Sequence, residues 1–310
     1  TLSVAADTIL RARAFVTGWI PGPVLTRSLF VNEPTDRTLP VMSFVAEPSD
    51  LFGGVTGIYT NNSPYPYKGR EVATRLEYFD TNGASAFAVN TGIRIGGENN
   101  WVYAEKALNV HMRGKYGDDL INCQIFPGDP EGTFGELNVR NGGDNWPNAM
   151  LRDAMMAPVM QGQTENDIYS YQPCVAFING RYWGIYNIRK TFDGVHFSNL
   201  HQFDSTYSTT YDLVQYAHDE NGITVLMAAA GDTSSYEAFH NFYTTHDLSQ
   251  ATNYDAMLAQ MNMDSFIDYV VIEDFGMNTS WPWNREFWCG RAPGSKWQWD
   301  VPDLDRCFNP

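Results

Sequence analysis

Apolar and polar positions alternate with period two through much of the stretch from residue 39 to about 140, which predicts a β-rich first half. Strands are expected over 72–79, 86–95, 106–112 and 136–139, with shorter apolar segments at 39–45 and 57–60. Nearer the start, Thr8 to Val16 and Val24 to Val31 flank the turn Thr17-Gly-Trp-Ile-Pro-Gly-Pro23 and read as a hairpin. A lone hairpin is marginal in water, so it needs a partner sheet, and the simplest account makes it the end of a small β-sandwich. Asn32 to Arg37 reads as a linker.

The second half changes texture. Met150 to Val159 places Met150, Leu151, Ala154, Met155 and Val159 at helical spacing. Helices are also expected at 211–217, 235–243, 254–261 and 264–275, the last with Asp264 as N-cap and Phe266, Tyr269, Val270 and Phe275 on its apolar side. Between them, 172–177 and 182–189 flank Asn179-Gly180, a strong hairpin signal. Strands followed by helices, closed by a last apolar strand-like run near 297–301, give an α+β class without repeats.

Composition narrows the function classes. With 310 residues, 43% of them hydrophobic, the chain can bury a large core as one big domain or two smaller ones. A formal charge of -16 repels a phosphate backbone, which argues against nucleic acid as a partner. A nucleotide would need metal ions to neutralise it. The apolar window 223–230 is far too short to cross a bilayer. Cys123, Cys174, Cys289 and Cys307 show no zinc-like spacing; two disulfides and four buried thiols are equally compatible with the count. Thr1 is not a natural start, so an export signal and further domains upstream are compatible with the sequence.

Candidate chemistry gathers near the C-terminus. In Asp303-Leu-Asp305 an extended backbone puts both carboxylates on one face, where they could share a divalent cation; a polar strand end is the plainer alternative. Arg140 precedes the Gly-rich turn Asn141-Gly-Gly-Asp-Asn-Trp146, whose backbone N–H groups would suit an anion if they are not simply structural. Arg152-Asp153 opens a predicted helix, where Asp153 favours the dipole and Arg152 reads more as an ion-pair partner than a ligand. The six histidines form no H-E-x-x-H or similar cluster, so the sequence gives little support to zinc.

Motifs in a fixed order carry a family resemblance over residues 39–308. They include Gly92-Ile-Arg-Ile-Gly-Gly97, Lys106-Ala-Leu, Lys115-Tyr-Gly117, Val139-Arg-Asn-Gly-Gly143, Leu151-Arg-Asp153 and Asn179-Gly-Arg-Tyr-Trp-Gly-Ile-Tyr-Asn-Ile-Arg189. Asn278-Thr, Trp281-Pro, Asn284 and Trp297-Gln-Trp ahead of Asp303-Leu-Asp305 complete the series. Together they resemble the CotH kinase family of secreted and spore-coat proteins. The resemblance implies an atypical protein-kinase-like two-lobed fold, with a β-rich lobe at about 39–140 and a mainly helical lobe at about 141–310 that members generally continue beyond. Residues 1–30, followed by a linker at 31–38, resemble the end of a chitobiase-type immunoglobulin-like domain, a spacer in secreted proteins.

The resemblance also implies site roles. Lys106, with Lys115 as a rival, would meet nucleotide phosphates, with Arg140 and Arg152 as further cofactor-binding candidates. Asp303, Asp305 and Asn284 would hold Mg²⁺ or Mn²⁺ beside ATP, for transfer to a protein or cell-surface acceptor. Two departures weaken that expectation. Ser280 stands where the family commonly has the aspartate base, and a hydroxyl cannot take up a proton near neutral pH. Lys190 stands where a glutamate usually follows Arg189, which inverts the local charge. The sequence therefore points to an exported binding or structural module with weak or absent catalysis, ahead of an active phosphotransferase.

Overall fold

The computed structural model describes residues 2–31, 38–60, 70–97, 100–203, 210–218 and 223–308. The 32–37 linker lies outside them. In chain order the elements are β1 (Thr8–Ala12), β2 (Leu25–Leu29), β3 (Val41–Ala46), α1 (Pro48–Phe52), β4 (Val72–Phe79), β5 (Ser85–Ile95) and β6 (Leu108–His111). Then come β7 (Ile121–Asn122), β8 (Thr133–Phe134), β9 (Glu136–Arg140), α2 (Arg152–Met160), β10 (Tyr171–Ile178) and β11 (Arg181–Lys190). The remainder is α3 (Gly194–His201), β12 (Tyr211–His218), β13 (Thr224–Ala230), α4 (Ser234–Thr245), α5 (Ala251–Leu258), α6 (Met263–Phe275), β14 (Arg285–Gly290) and β15 (Gln298–Asp300). The class is α+β, as the sequence suggested.

Two units divide the chain: Thr1–Gly143 with Tyr171–Thr191, and Asp144–Ser170 with Phe192–Pro310. In the first, seven strands close a barrel in the order β10-β11-β9-β6-β5-β4-β3. Every neighbouring pair is antiparallel except β10 with β3, which closes the ring in parallel. A closed barrel differs from the kinase-like β-lobe expected from the resemblance. The difference comes from the β10–β11 hairpin, which the sequence placed in the helical half. Its apolar residues Ala176, Ile178, Tyr186 and Ile188 instead join Phe44, Leu76, Ile93, Val110 and Val139 in the barrel core. Asn179 (φ 49°) and Gly180 (φ 77°) make its turn, as their left-handed tolerance predicts.

Strands β1 and β2 pair with each other alone. Glu77 on β4 is fully buried and accepts the Ser28 N–H at 2.6 Å. The Ser28 and Ser43 hydroxyls meet at 2.7 Å, and Phe30 packs edge-on against Phe79 and tilted against Phe177. The barrel wall is thus the surface that covers this hairpin.

In the second unit a four-stranded antiparallel sheet, β13-β12-β14-β15, accompanies helices α2 to α6. Strand β12 was expected to be a helix. Its two faces explain the misreading: Tyr211 and Leu213 join one apolar cluster, while Val214 and Tyr216 pack with another. A strand buried on both sides loses the alternation that identifies it. Strand β13, alanine-rich at its end, was not foreseen. The expected helices at 235–243, 254–261 and 264–275 appear as α4, α5 and α6 with shifted ends. All four cysteines are free thiols, and no described helix is long and apolar enough to cross a membrane.

Candidate functional site

Helix α6 delivers the main candidate residues. Its cap is Asn262, whose side chain accepts the Asp264 and Ser265 N–H groups, rather than Asp264 itself. Four buried residues define its inner face: Ser265, Tyr269, Ile272 and Glu273. Past Gly276 the chain turns at Met277 (φ 48°) and Asn278 becomes a hub. The Asn278 side-chain NH₂ donates to Glu273 Oε2 and to the Asp303 carbonyl, both at 2.8 Å. Asn278 Oδ1 accepts the Ser280 N–H at 3.1 Å and the Ser280 hydroxyl at 3.0 Å.

Around Asp303 the donors converge. Asn284 Nδ2 donates to its Oδ2 at 3.3 Å, and the Asp305 N–H to its Oδ1 at 3.4 Å. Ser280, Asn284 and Asp303 are therefore gathered into one polar loop cluster. Asp305 lies beyond the end of β15, outside any strand, so the period-two argument for a shared face does not apply. Its Oδ2 accepts the Asp144 N–H at 2.7 Å, while Arg306 grips Asp144 Oδ2 through Nε and Nη2 at 2.9 and 2.6 Å. One oxygen of Asp305 thus works as an anchor for residue 144.

A carboxylate and an amide 3.3 Å apart make an oxygen-donor pair suited to Mg²⁺ or Mn²⁺. Rotating the Asn284 amide would present its oxygen beside Asp303. Such an ion would supply charge neutralisation for nucleotide phosphates. Glu273 registers the negative character of the place. Burial, only partly relieved by its Asn278 hydrogen bond, together with the charge of Asp303, pushes its carboxyl up to about 8. Sequence reading missed Glu273. The signal was an acid four residues beyond Tyr269 on the apolar face of a helix.

The remaining candidates belong to the barrel unit or to α2. Lys106 sits two residues before β6, not within it, and is buried. Its ammonium donates to the backbone carbonyls of Trp101 and Tyr103, the latter at 2.8 Å, and lies 6.0 Å from the Tyr59 ring. Desolvation lowers its proton affinity. Lys115, the rival, is exposed and pairs with Glu71 at 3.1 Å. Arg140 ends β9, and in the turn after it Asn141 Oδ1 accepts the Gly143 N–H at 3.1 Å while Asn141 Nδ2 donates to the Glu105 carbonyl at 2.6 Å. Arg152 is the first residue of α2 and half-buried; its neighbour Asp153 accepts the Leu304 N–H at 3.3 Å.

Lys190 corrects the sequence argument about charge inversion. Its ammonium lies 2.9 Å from Asp129 and 2.7 Å from Glu131, with all three side chains buried. The cation is matched by two carboxylates in its own unit. Its presence does not leave an uncompensated charge.

Comparison with curated proteins finds no match. The family profile described as CotH kinase protein matches residues 93–309, well over half of the chain. That span takes in barrel strands β6, β9, β10 and β11 with the end of β5, as well as the whole Asn278–Asp303 loop cluster. On that match, the chain belongs to the CotH kinase protein family.

Proposed function

We propose that this chain is an exported CotH-family domain that serves as a binding or structural module and transfers phosphate poorly or not at all. The carrying observation is the Ser280 hydroxyl. It is engaged with the Asn278 amide oxygen at the place where the resemblance implies a proton-accepting carboxylate. A hydroxyl there offers neither charge nor basicity to an acceptor. Asp303 and Asn284 retain the oxygen donors for a Mg²⁺ or Mn²⁺ nucleotide complex. Binding without turnover is the behaviour this combination favours.

Lys190 favours a second reading. Because Asp129 and Glu131 balance it, only the base position is clearly defective, and a slow phosphotransferase acting on a protein or cell-surface acceptor follows. General-base loss alone costs ~10²–10⁴-fold. Thermal unfolding of the full chain with ATP and Mn²⁺, separately and together, tests the first reading. A shift that needs Mn²⁺ and vanishes in Asp303→Asn supports it; a shift unchanged in that variant puts the site elsewhere. Robust self- or acceptor labelling from radiolabelled ATP would instead establish the phosphotransferase.

A further inference from the structure

The second unit holds another group of ligand-type side chains, sharing no residue with the Asp303 cluster. Asp167, just before β10, and His196 and His201 of α3 bring their ligand atoms within 4.8 Å of one another. His201 Nε2 lies 2.8 Å from Asp167 Oδ2, and His196 Nε2 lies 3.7 Å from the same oxygen. Five residues apart on a regular helix, two side chains diverge by about 140°. These meet at the end of α3, where Gln202 turns left-handed (φ 59°) and the Phe203 N–H returns to the Phe197 carbonyl at 3.2 Å. The start is fixed as well, since Asp193 accepts the His196 N–H at 2.9 Å. No familiar histidine spacing announces such a pair, which is why zinc finds little support in the sequence.

Asp300 provides a second, independent observation. It is fully buried, and among the described residues neither carboxyl oxygen has a hydrogen-bond partner. It sits opposite buried Glu286 in the β14–β15 ladder. Around the two histidines stand Tyr169, Phe192, Phe197 and Trp288, an aromatic shell that keeps the dielectric low. A buried carboxylate that faces two imidazoles in such a shell is a ready seat for a cation.

Two imidazole nitrogens with a carboxylate oxygen suit Zn²⁺ and disfavour Mg²⁺ or Ca²⁺. Tetrahedral ligands at zinc distances stand about 3.3 Å apart, a value bracketed by the observed 2.8 and 3.7 Å. We propose that Asp167, His196 and His201 bind one Zn²⁺ ion. Asp167 precedes the β10–β11 hairpin and the histidines follow it. The ion therefore clips together the two points at which the chain leaves for the barrel and returns, with water in the fourth tetrahedral position.

The test uses the full chain, stripped with chelator and then loaded with Zn²⁺ or Co²⁺. Expected are one tightly held Zn²⁺ per chain after desalting, a raised melting temperature, and a tetrahedral Co²⁺ visible spectrum without sulfur-to-cobalt charge transfer. His201→Gln, at the most exposed of the three ligands, should weaken Zn²⁺ binding at least 100-fold, while Asp303→Asn leaves it intact. Wild type that takes up neither metal would overturn the proposal, leaving a hydrogen-bonded cluster with no ion. A thiolate charge-transfer band, or His201→Gln folded by near-ultraviolet circular dichroism yet binding Zn²⁺ as wild type does, would equally overturn it. Because the wild-type cobalt spectrum needs no variant, failure of His201→Gln to fold still leaves a decisive result.

Discussion

Replacing Lys190 with methionine isolates the energetics of a buried charge triad. Methionine keeps the stem's volume and removes the ammonium, so Asp129 and Glu131 are left facing each other with side chains 5% and 3% exposed. Each contact is worth about 6 kcal/mol of Coulomb attraction at an effective dielectric near 20, but desolvation of the three ions offsets most of that. Removing one partner of a buried pair typically destabilises by about 3–5 kcal/mol. At about 2–4 °C per kcal/mol for a unit of this size, the barrel transition should fall by about 6–20 °C. Urea denaturation followed by tryptophan fluorescence at pH 7, with calorimetry, measures both quantities. Adding Asp129→Asn and Glu131→Gln should recover most of the loss, because neutral amides can be buried with hydrogen bonds. A Lys190→Met melting point within 2 °C of wild type, or no recovery in the triple variant, would refute the triad as the counterweight to that lysine.

Glu273, with its carboxyl raised to about 8, is favoured in its protonated form when folded. Its contribution is fully present below the unfolded value near 4.5 and is lost as pH rises through 8, so wild type should lose about 4 kcal/mol relative to Glu273→Gln between pH 5 and 9 in chelator; parallel stability profiles would exclude this. Ser280→Asp should rescue little labelling and should destabilise the loop, because its carboxylate would face the Asn278 amide oxygen now 3.0 Å from the hydroxyl; strong ATP-dependent labelling would show that this position alone limits activity. Gly231→Ala should cost about 1–3 kcal/mol by denaturant unfolding, since φ is +70° and a Cβ would press on Asp212 Oδ1 and the Tyr211 carbonyl; an unchanged midpoint would mean the turn relaxes freely.

Local signals served well where one physical cause dominated. Asn179-Gly180 announced its hairpin because the left-handed turn admits few residues, and α6 was legible from its helical spacing of apolar residues, although Ser265 and Glu273 share its buried face and Phe275 is exposed. The ordered motifs identified the family and the loop that unites Ser280, Asn284 and Asp303. Non-local causes were hidden. Strand β12 is apolar on both faces, so its period was lost, and β10 pairs with β3 across about 130 residues without any local trace. Lys190 looked disruptive because Asp129 and Glu131 lie some 60 residues away in sequence. The histidine pair escaped notice because positions five apart are not a recognised ligand spacing on a helix, and Asp167 lies about 30 residues away in sequence.

The barrel's parallel closure constrains how the chain is made. Until residues 171–190 have left the ribosome, β3 and β9 are open edges, with unpaired backbone groups beside an apolar interior. A nascent chain ending near residue 143 carries five of the seven strands and cannot seal them. Such contacts of large sequence separation form slowly, and the open intermediate is prone to sticking edge to edge. Expression fragments cut at residue 143 should aggregate, whereas fragments that extend past residue 191 carry all seven strands and can close the ring.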